Sequence, residues 1–172
     1  MEDVREVLEV TGAVGAAEAV LVDQGRAADP EVAPWDAYPR PQKSVREYTA
    51  RELGAEGEHL AQVYLVRRGL EIRDLNWVCP GGEADIVAAE ERGCVVLVEV
   101  KCRLAIDAPE EPMPELAVDK RKRARYRRIA LYYLSEHPEV DSVRFDVIAI
   151  NIVQERMARL RHLVGAFAWD GQ

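Results

Sequence analysis

The run CVVLVEVKC at residues 94–102 constrains the fold most, because its apolar side chains fall on both faces of a strand. Side chains alternate across a strand, so Val95 and Leu97 share one face with Glu99, while the interleaved valines lie on the other. Apolar residues on both faces are typical of a strand that is covered on both sides. The run therefore predicts a central strand of a layered sheet.

The segments around this run predict the rest of the core. Further β-type runs occupy residues 70–78, 83–89 and 144–152, and turn residues separate the first two from their neighbours. A helix is predicted to begin either at the capping box SVRE (44–47) or nearer Gly57, and a second to run from about Pro114 to His137. A further short strand is predicted after residue 156. The order α-β-β-β-α-β predicts an α/β domain with a mixed central β-sheet flanked by helices.

The N-terminal part differs in composition from the rest of the chain. Residues 1–42 hold nine of the 31 acidic residues and only three of the 23 basic ones, and they are rich in alanine and proline. We predict that residues 1–43 are an appendage, partly disordered, in which residues 4–22 form a loose helix. Residues 44–172 are predicted to form the folded domain.

The formal net charge of −8 conceals a basic segment, KRKRARYRR at residues 120–128. Helical spacing predicts that Lys122 faces the core at the edge of a site, while Arg121, Arg125 and Arg128 face outward. Outward basic residues could contact nucleic-acid phosphates, or they could form an ordinary solvated surface. A third hypothesis is that the acidic residues 1–42 cover this helix.

Cysteine usage and hydropathy bear on the compartment. Three cysteines (Cys79, Cys94 and Cys102) form no CxxC pair, and no apolar run is long enough to span a bilayer. These features predict a protein of the reducing cytoplasm with no membrane partner.

The two central runs carry charges that a hairpin would bring together. If residues 91–93 form a three-residue loop, counting outward places Asp85 opposite Glu99 and Glu83 opposite Lys101. Opposed carboxylates repel, and burial raises the cost. A divalent cation held by Asp85 and Glu99 would remove the conflict, with Lys101 orienting a water or stabilising phosphate charge. The structural alternative is an ion-paired strand end, in which Glu83 binds Lys101.

These residues resemble a known signature. Asp85 and Glu99-Val100-Lys101 look like the PD-(D/E)xK nuclease motif, and further segments narrow the likeness. They are GEHLA (57–61), Asn76-Trp77, GEADIVA (82–88), VEVKCR (98–103) and RFDVIAI (144–150). As an ordered set they resemble the YraN-type family of small bacterial proteins, which are similar to archaeal Holliday-junction resolvases.

The resemblance implies a restriction-endonuclease-like core and a metal-dependent endonuclease that hydrolyses phosphodiester bonds, with branched and damaged DNA as candidate substrates. It implies that Asp85, Glu99 and the Val100 carbonyl hold Mg²⁺, for which Mn²⁺ can substitute, and that Lys101 assists the attacking water. Glu58 would complete the site, with Glu83 and Arg103 supporting it. DNA is favoured over RNA as the partner, and a homodimer is left open. The alternative is a non-catalytic nucleic-acid-binding or partner-binding module, whose DNA binding depends on Arg121 and Arg125 but not on Asp85.

Overall fold

The computed structural model describes residues 2–13, 16–21, 43–90, 93–106, 120–155 and 157–166. The helices in these ranges are a short 3-10 helix, Val45–Glu47, and two α-helices, α1 (Ala50–Arg67) and α2 (Lys120–Glu136). The strands are β1 (Glu2–Ala13), β2 (Ala16–Leu21), β3 (Glu71–Cys79), β4 (Gly82–Ala89), β5 (Cys94–Leu104), β6 (Ser142–Gln154) and β7 (Met157–Val164).

All the described strands form one sheet in the order β2-β1-β7-β6-β5-β4-β3. Strands β5 and β6 run parallel, and the other neighbours run antiparallel, so the sheet is mixed. Helix α1 lies against one face and α2 against the other. This arrangement confirms the predicted α/β class and is compatible with a restriction-endonuclease-like core.

Strand β5 is buried on both faces, as its sequence predicts. Val96 and Val98 pack in one apolar cluster with Leu60 and Tyr64 of α1. The alternate side chains of β5 pack in a second cluster with α2; this cluster contains Val95, Leu97, Tyr126, Ile129, Ala130 and Tyr133. The two clusters fix β5 between the helices, so the charged residues at its carboxyl end are held in a defined position.

The first α-helix begins later than one prediction and earlier than the other. Its N-cap is Thr49, which forms a capping box with Glu52, while Ser44 caps only the short 3-10 helix. Both predicted starts, at residue 44 and near Gly57, are therefore wrong. No helix in the described parts of the chain is both long and apolar enough to cross a membrane.

The predicted helix at residues 4–22 is also wrong. Residues 2–13 and 16–21 form strands β1 and β2, and β1 pairs antiparallel with β7, with Glu6 opposite Leu160. Three strands separate β1 from β4, which α2 contacts. Residues 22–42 lie outside the described residues, as do residues 107–119 and the predicted helix start at Pro114. The division into 1–43 and 44–172 stays a prediction.

Helix α1 approaches β5 closely at Gly57. A Cβ atom at this position would overlap the Cβ of Cys102 and lie 3.0 Å from its Sγ. Burial raises the pKa of the Cys102 thiol to about 12, and the Glu56 carboxylate adds to this shift. The thiol therefore stays protonated, and Cys102 fills space beneath the helix.

We expect Gly57→Ala to lower the free energy of unfolding by about 1–3 kcal/mol, because the added methyl forces α1 away from β5. The matched variant is Gly54→Ala, where the same change meets no atom within 4 Å. It should raise the free energy of unfolding by about 0.5–1 kcal/mol through helix propensity alone. Urea unfolding of both variants measures the difference, and equal effects would contradict the close approach.

A buried polar network ties β6 to β7 and α1. The Asp146 carboxylate, whose side chain is 0% exposed, accepts two hydrogen bonds from Arg144 at 2.9 Å and one from the Gly165 amide at 2.8 Å. Its Oδ2 lies 3.0 Å from His162 Nε2, and His162 Nδ1 lies 3.2 Å from the Tyr64 hydroxyl. The Asp146 carboxylate thus connects β6 to β7 directly, and His162 extends the network to Tyr64 on α1.

Candidate functional site

The predicted hairpin register is confirmed where the strands remain paired. Gly93 has a φ of 79°, as a left-handed loop position requires, and the Glu90 amide donates to the Cys94 carbonyl at 3.0 Å. The β4–β5 ladder runs from Ala89–Val95 to Ile86–Val98 and ends there. The predicted pairs beyond it, Asp85 with Glu99 and Glu83 with Lys101, lie past the end of the ladder.

The Asp85 carboxylate occupies the place where the ladder stops. Its Oδ2 accepts a hydrogen bond from the Val100 amide at 2.7 Å. Backbone groups two residues apart point to the same side of a strand, so the Val100 amide faces β4 as the Cys94 carbonyl does. The side chain thereby satisfies a backbone donor that the neighbouring strand no longer reaches.

Asn76 on β3 faces this break from the other side. The pairs Leu75–Ile86 and Trp77–Ala84 leave Asn76 in register with Asp85. Asn76 has a φ of 51°, in the left-handed region that asparagine tolerates better than most residues. Its Nδ2 donates to Glu58 Oε2 at 3.3 Å. The irregular strand position thus holds the α1 glutamate beside the break.

At Asn76 on β3 and Asp85 on β4, the alternation of side chains between the two faces of the sheet is interrupted. Ile86 belongs to the apolar cluster under α1, whereas Ala84 and Trp77 belong to the cluster under α2. Residues two apart on a regular strand would share a face. The shift leaves Asp85 between the two faces, where carboxylates from both sides of the sheet influence it.

Burial and neighbouring carboxylates raise the pKa of Asp85. Burial is the largest cause that raises its pKa from 3.8 to about 6, and the charges of Glu99 and Glu58 add to the rise. The Val100 amide and the Lys101 ammonium oppose it. The charged form of Asp85 is therefore disfavoured by the very side chains that surround it, a condition that a bound cation would relieve.

Glu99 is 6% exposed and has partners at both carboxylate oxygens. Lys101 forms an ion pair with Oε1, and the Tyr126 hydroxyl and the Arg125 guanidinium donate to Oε2, the latter at 2.8 Å. Burial alone would raise the pKa of Glu99, but the hydrogen bonds from Lys101 and Tyr126 outweigh it, so the pKa is lowered. Glu99 is therefore an ionised, firmly oriented carboxylate.

The structure brings together four of the predicted site side chains, Asp85, Glu99, Lys101 and Glu58, with the backbone of Val100. The alternative ion pair between Glu83 and Lys101 does not form, because Lys101 pairs with Glu99 while Glu83 is exposed opposite Val78 on β3. Arg103 lies further along β5, where its Nε donates to Asn151 Oδ1 at 2.9 Å.

The basic helix differs from the prediction at one position. Arg121 and Arg128 are exposed, as expected, and Lys122 is half-buried. Arg125 was expected to face outward, but its guanidinium binds Glu99 while 39% of its side chain remains exposed. Arg125 precedes buried Ile129 by four residues and so lies at the border of the buried face of α2, from which its long side chain reaches the Glu99 carboxylate.

Three residues of the site have roles that the sequence did not indicate. Tyr126 was assigned no functional role, and Arg125 was predicted only as part of an outward surface. Asn76 was noted only within a motif. The available signal was weak: asparagine within an otherwise β-type run is one of the few residues besides glycine that adopt a left-handed backbone.

The donors present suit a hard divalent cation in kind. Asp85, Glu99 and Glu58 supply carboxylate oxygens, which Mg²⁺ and Mn²⁺ prefer, and their mutual repulsion favours a cation among them. In the described ranges, no group of three His, Cys, Asp or Glu side chains has the spacing to hold a metal ion. A cation would therefore rest on two carboxylates supplemented by backbone, water or substrate oxygens.

Comparison with known proteins identifies the group to which the chain is related. The model of a family described as "Uncharacterised protein family UPF0102" matches residues 57–150, which contain all four carboxylate and lysine residues of the site. A UPF0102 protein of Thermodesulfovibrio yellowstonii is 40% identical over 116 residues, covering 67% of this chain and 96% of the relative. One from Beutenbergia cavernae is 42% identical over 116 residues, covering 66% and 93%.

A third relative, the UPF0102 protein of Moorella thermoacetica, is 40% identical over 121 residues, covering 69% of this chain and 98% of the relative. This chain thus spans these relatives almost completely, and about a third of its own length lies outside each match. The likeness inferred from the ordered motifs is confirmed at the level of the family. The chain belongs to the uncharacterised protein family UPF0102.

Proposed function

We propose that this protein is a divalent-metal-dependent nuclease of the PD-(D/E)xK type, which hydrolyses phosphodiester bonds in nucleic acid. The observation that carries the proposal is the meeting of Asp85 and Glu99 with Lys101 where β4 and β5 separate, with Glu58 added from α1. The raised pKa of Asp85 supports it, because crowded carboxylates at a strand break are costly unless a cation or a proton joins them.

Asp85 and Glu99, supplemented by the Val100 carbonyl, are the groups that would hold Mg²⁺ or Mn²⁺, and Glu58 would contribute through a bridging water. The chemistry that such an ion supplies when bound is Lewis-acid polarisation of a phosphoryl oxygen and a lower pKa for a coordinated water. The chain's own residues orient the site. The Val100 amide fixes the Asp85 carboxylate, Tyr126 and Lys101 fix Glu99, and the Lys101 ammonium places a positive charge beside the position of the scissile phosphate.

The substrate class in this proposal is DNA, with branched or damaged structures tested first, and the compartment is the cytoplasm. Exposed Arg121 and Arg128 on α2 would contact phosphates without reading sequence. Cutting two strands symmetrically would require a second copy of the chain. Glu83 and Arg103 remain proposed supporting residues near the strand ends.

The test is cleavage of labelled duplex, single strand, flap, four-way junction and RNA, each with Mg²⁺, Mn²⁺ or EDTA. The full-length protein is compared with Asp85→Asn protein purified identically. We expect cutting that needs metal and is lost in the variant, and the panel identifies the preferred substrate. Cutting that persists in EDTA or in the variant would contradict the proposal.

A second candidate function is favoured by the state of Glu99. Both of its oxygens already have donors, as a charge-neutralised structural carboxylate would. In this alternative the protein binds nucleic acid or a partner without catalysis. It predicts salt-dependent DNA binding that depends on Arg121 and Arg125, needs no metal, and is unchanged in the Asp85→Asn variant.

A further inference from the structure

Arg125 is a charged link between the basic helix and the candidate site. Lys120, Arg121 and Arg128 of α2 are exposed, whereas Arg125 on the same helix reaches the Glu99 carboxylate at 2.8 Å. With 39% of its side chain exposed, Arg125 is both a ligand of Glu99 and part of the surface that a nucleic acid would approach. The inference below rests on the proposed function.

The turn between β3 and β4 makes room for this contact. A Cβ atom on Gly82 would lie 3.2 Å from Cγ and Cδ of Arg125, and one on Gly81 would lie 2.9 Å from the α2 backbone at Arg128 and Ile129. The turn therefore packs on α2 with no side chain between them. Its surface guides the stem of Arg125 toward Glu99, so the pairing is a product of the fold.

The pairing is nevertheless incomplete. The guanidinium binds Glu99 through one terminal nitrogen, and in the described part of the structure the Arg125 Nε is buried without a hydrogen-bond partner. A guanidinium is strongest when two nitrogens engage one carboxylate or phosphate together. Arg125 therefore has one N–H donor that the Glu99 contact leaves unused, and because this donor is buried, a phosphate could accept from it only after the guanidinium has left Glu99.

The ion pair between Arg125 and Glu99 disfavours the binding of a metal ion at Glu99. Arg125 and Tyr126 both donate to Glu99 Oε2, and Lys101 binds Oε1, so two positive charges already lie at this carboxylate. A divalent cation placed on Glu99 would be repelled by the guanidinium and would compete with it for Oε2. A nearby phosphate would have the opposite effect, because it attracts Arg125 away from Glu99.

We propose that Arg125 is an exchangeable counter-ion, which binds Glu99 in the metal-free protein and transfers to a backbone phosphate when nucleic acid binds. Through this exchange, nucleic acid strengthens metal binding and metal strengthens nucleic-acid binding. The coupling must be reciprocal, because both ligands favour the same released position of Arg125. The site would therefore load its metal together with its substrate.

The test is Arg125→Met in the full-length protein, compared with Arg121→Met, which removes an exposed charge from the same helix without touching Glu99. Mn²⁺ affinity is measured by calorimetry on the protein alone, and affinity for a short labelled duplex is measured in EDTA and again in Ca²⁺. We expect Arg125→Met to bind Mn²⁺ about 3- to 10-fold more tightly and the duplex more weakly, with a smaller gain from Ca²⁺.

Arg121→Met should weaken duplex binding but leave Mn²⁺ affinity unchanged. Arg125→Lys, which keeps the charge, should resemble the wild type in Mn²⁺ affinity and serves if the methionine variant fails to fold. Unchanged or weaker Mn²⁺ binding by Arg125→Met would overturn the exchange while leaving the nuclease proposal intact. Absence of Mn²⁺ binding by both the wild type and Arg125→Met, with the duplex present as well as without it, would overturn both.

Discussion

Asp85→Asn is expected to weaken Mn²⁺ binding by about 100-fold, to abolish metal-dependent cleavage and at the same time to make the folded protein more stable at neutral pH. The amide oxygen of asparagine can still accept the Val100 hydrogen bond, so the local backbone has no reason to move. What disappears is the negative charge, which burial, Glu99 and Glu58 all oppose.

The direction of the pKa shift determines how the stability of the variant, relative to the wild type, changes with pH. The folded-state pKa of Asp85 is raised from 3.8 to about 6, so the folded protein holds this proton more tightly than the unfolded chain does. The stability that Asp85 contributes is therefore present below about pH 4 and is lost as the pH rises through 6. Asparagine never ionises, and the stability advantage of the variant should grow across that interval.

Thermal unfolding in EDTA from pH 4 to pH 8, beside Mn²⁺ calorimetry at neutral pH, measures both effects. Asp141→Asn, which removes an exposed carboxylate just before β6, is the matched control and should change neither quantity. A variant that loses cleavage because it is misfolded would unfold at a lower temperature. A stable variant that binds Mn²⁺ normally would show that Asp85 is not a metal ligand.

Asp146→Ala is expected to have the largest effect on stability, a loss of about 3–5 kcal/mol in the free energy of unfolding. The substitution removes the acceptor of Arg144, His162 and the Gly165 amide at once and leaves a cation partly buried. The Glu90 carboxylate still pairs with Arg144 and will offset part of the loss.

The effect should depend on pH in the direction opposite to that of Asp85. Burial raises the pKa of Asp146, but the hydrogen bonds from His162, Arg144 and Gly165 outweigh it, so the folded-state pKa lies below 3.8. Its stabilising contribution is present above that value and is lost as the pH falls through the lower folded-state pKa.

Urea unfolding at pH 7 and near pH 3 measures this contribution. Asp141→Ala, on the loop before the same strand, should change the free energy of unfolding by no more than about 0.5 kcal/mol. A loss below about 1 kcal/mol in Asp146→Ala would show that the network is not a major source of stability.

Short-range sequence patterns were enough to predict the β4–β5 hairpin at the centre of the fold. The left-handed glycine at residue 93 fixed the hairpin loop, and strand alternation then gave the register and both buried faces of β5. These features depend on neighbours within the hairpin, so the sequence contains their determinants together. The meeting of Asp85, Glu99 and Lys101 followed from them, although the end of the ladder at Ile86 did not.

The errors arose where distant parts of the chain decide the structure. Residues 2–13 have helix-forming alanine and glutamate neighbours, yet their partner is β7, far away in sequence, and pairing overrides propensity. The start of α1 was missed because TARE at residues 49–52 has the same capping pattern as SVRE at 44–47, and the pattern alone does not show which of the two caps the long helix. The Arg125 side chain points inward because Gly82, against which it packs, has no side chain. Helical periodicity contains no information about that contact.

The pairing of β1 with β7 bears on any shortened version of this protein. Without residues 1–43, β7 would become the outer strand of the sheet, with a row of unpaired amide and carbonyl groups along most of its length. Such rows readily recruit strands from other molecules. The acidic N-terminal segment thus covers the edge of β7. If a truncated protein formed oligomers, we would expect the exposed edge of β7 to be the contact between the copies.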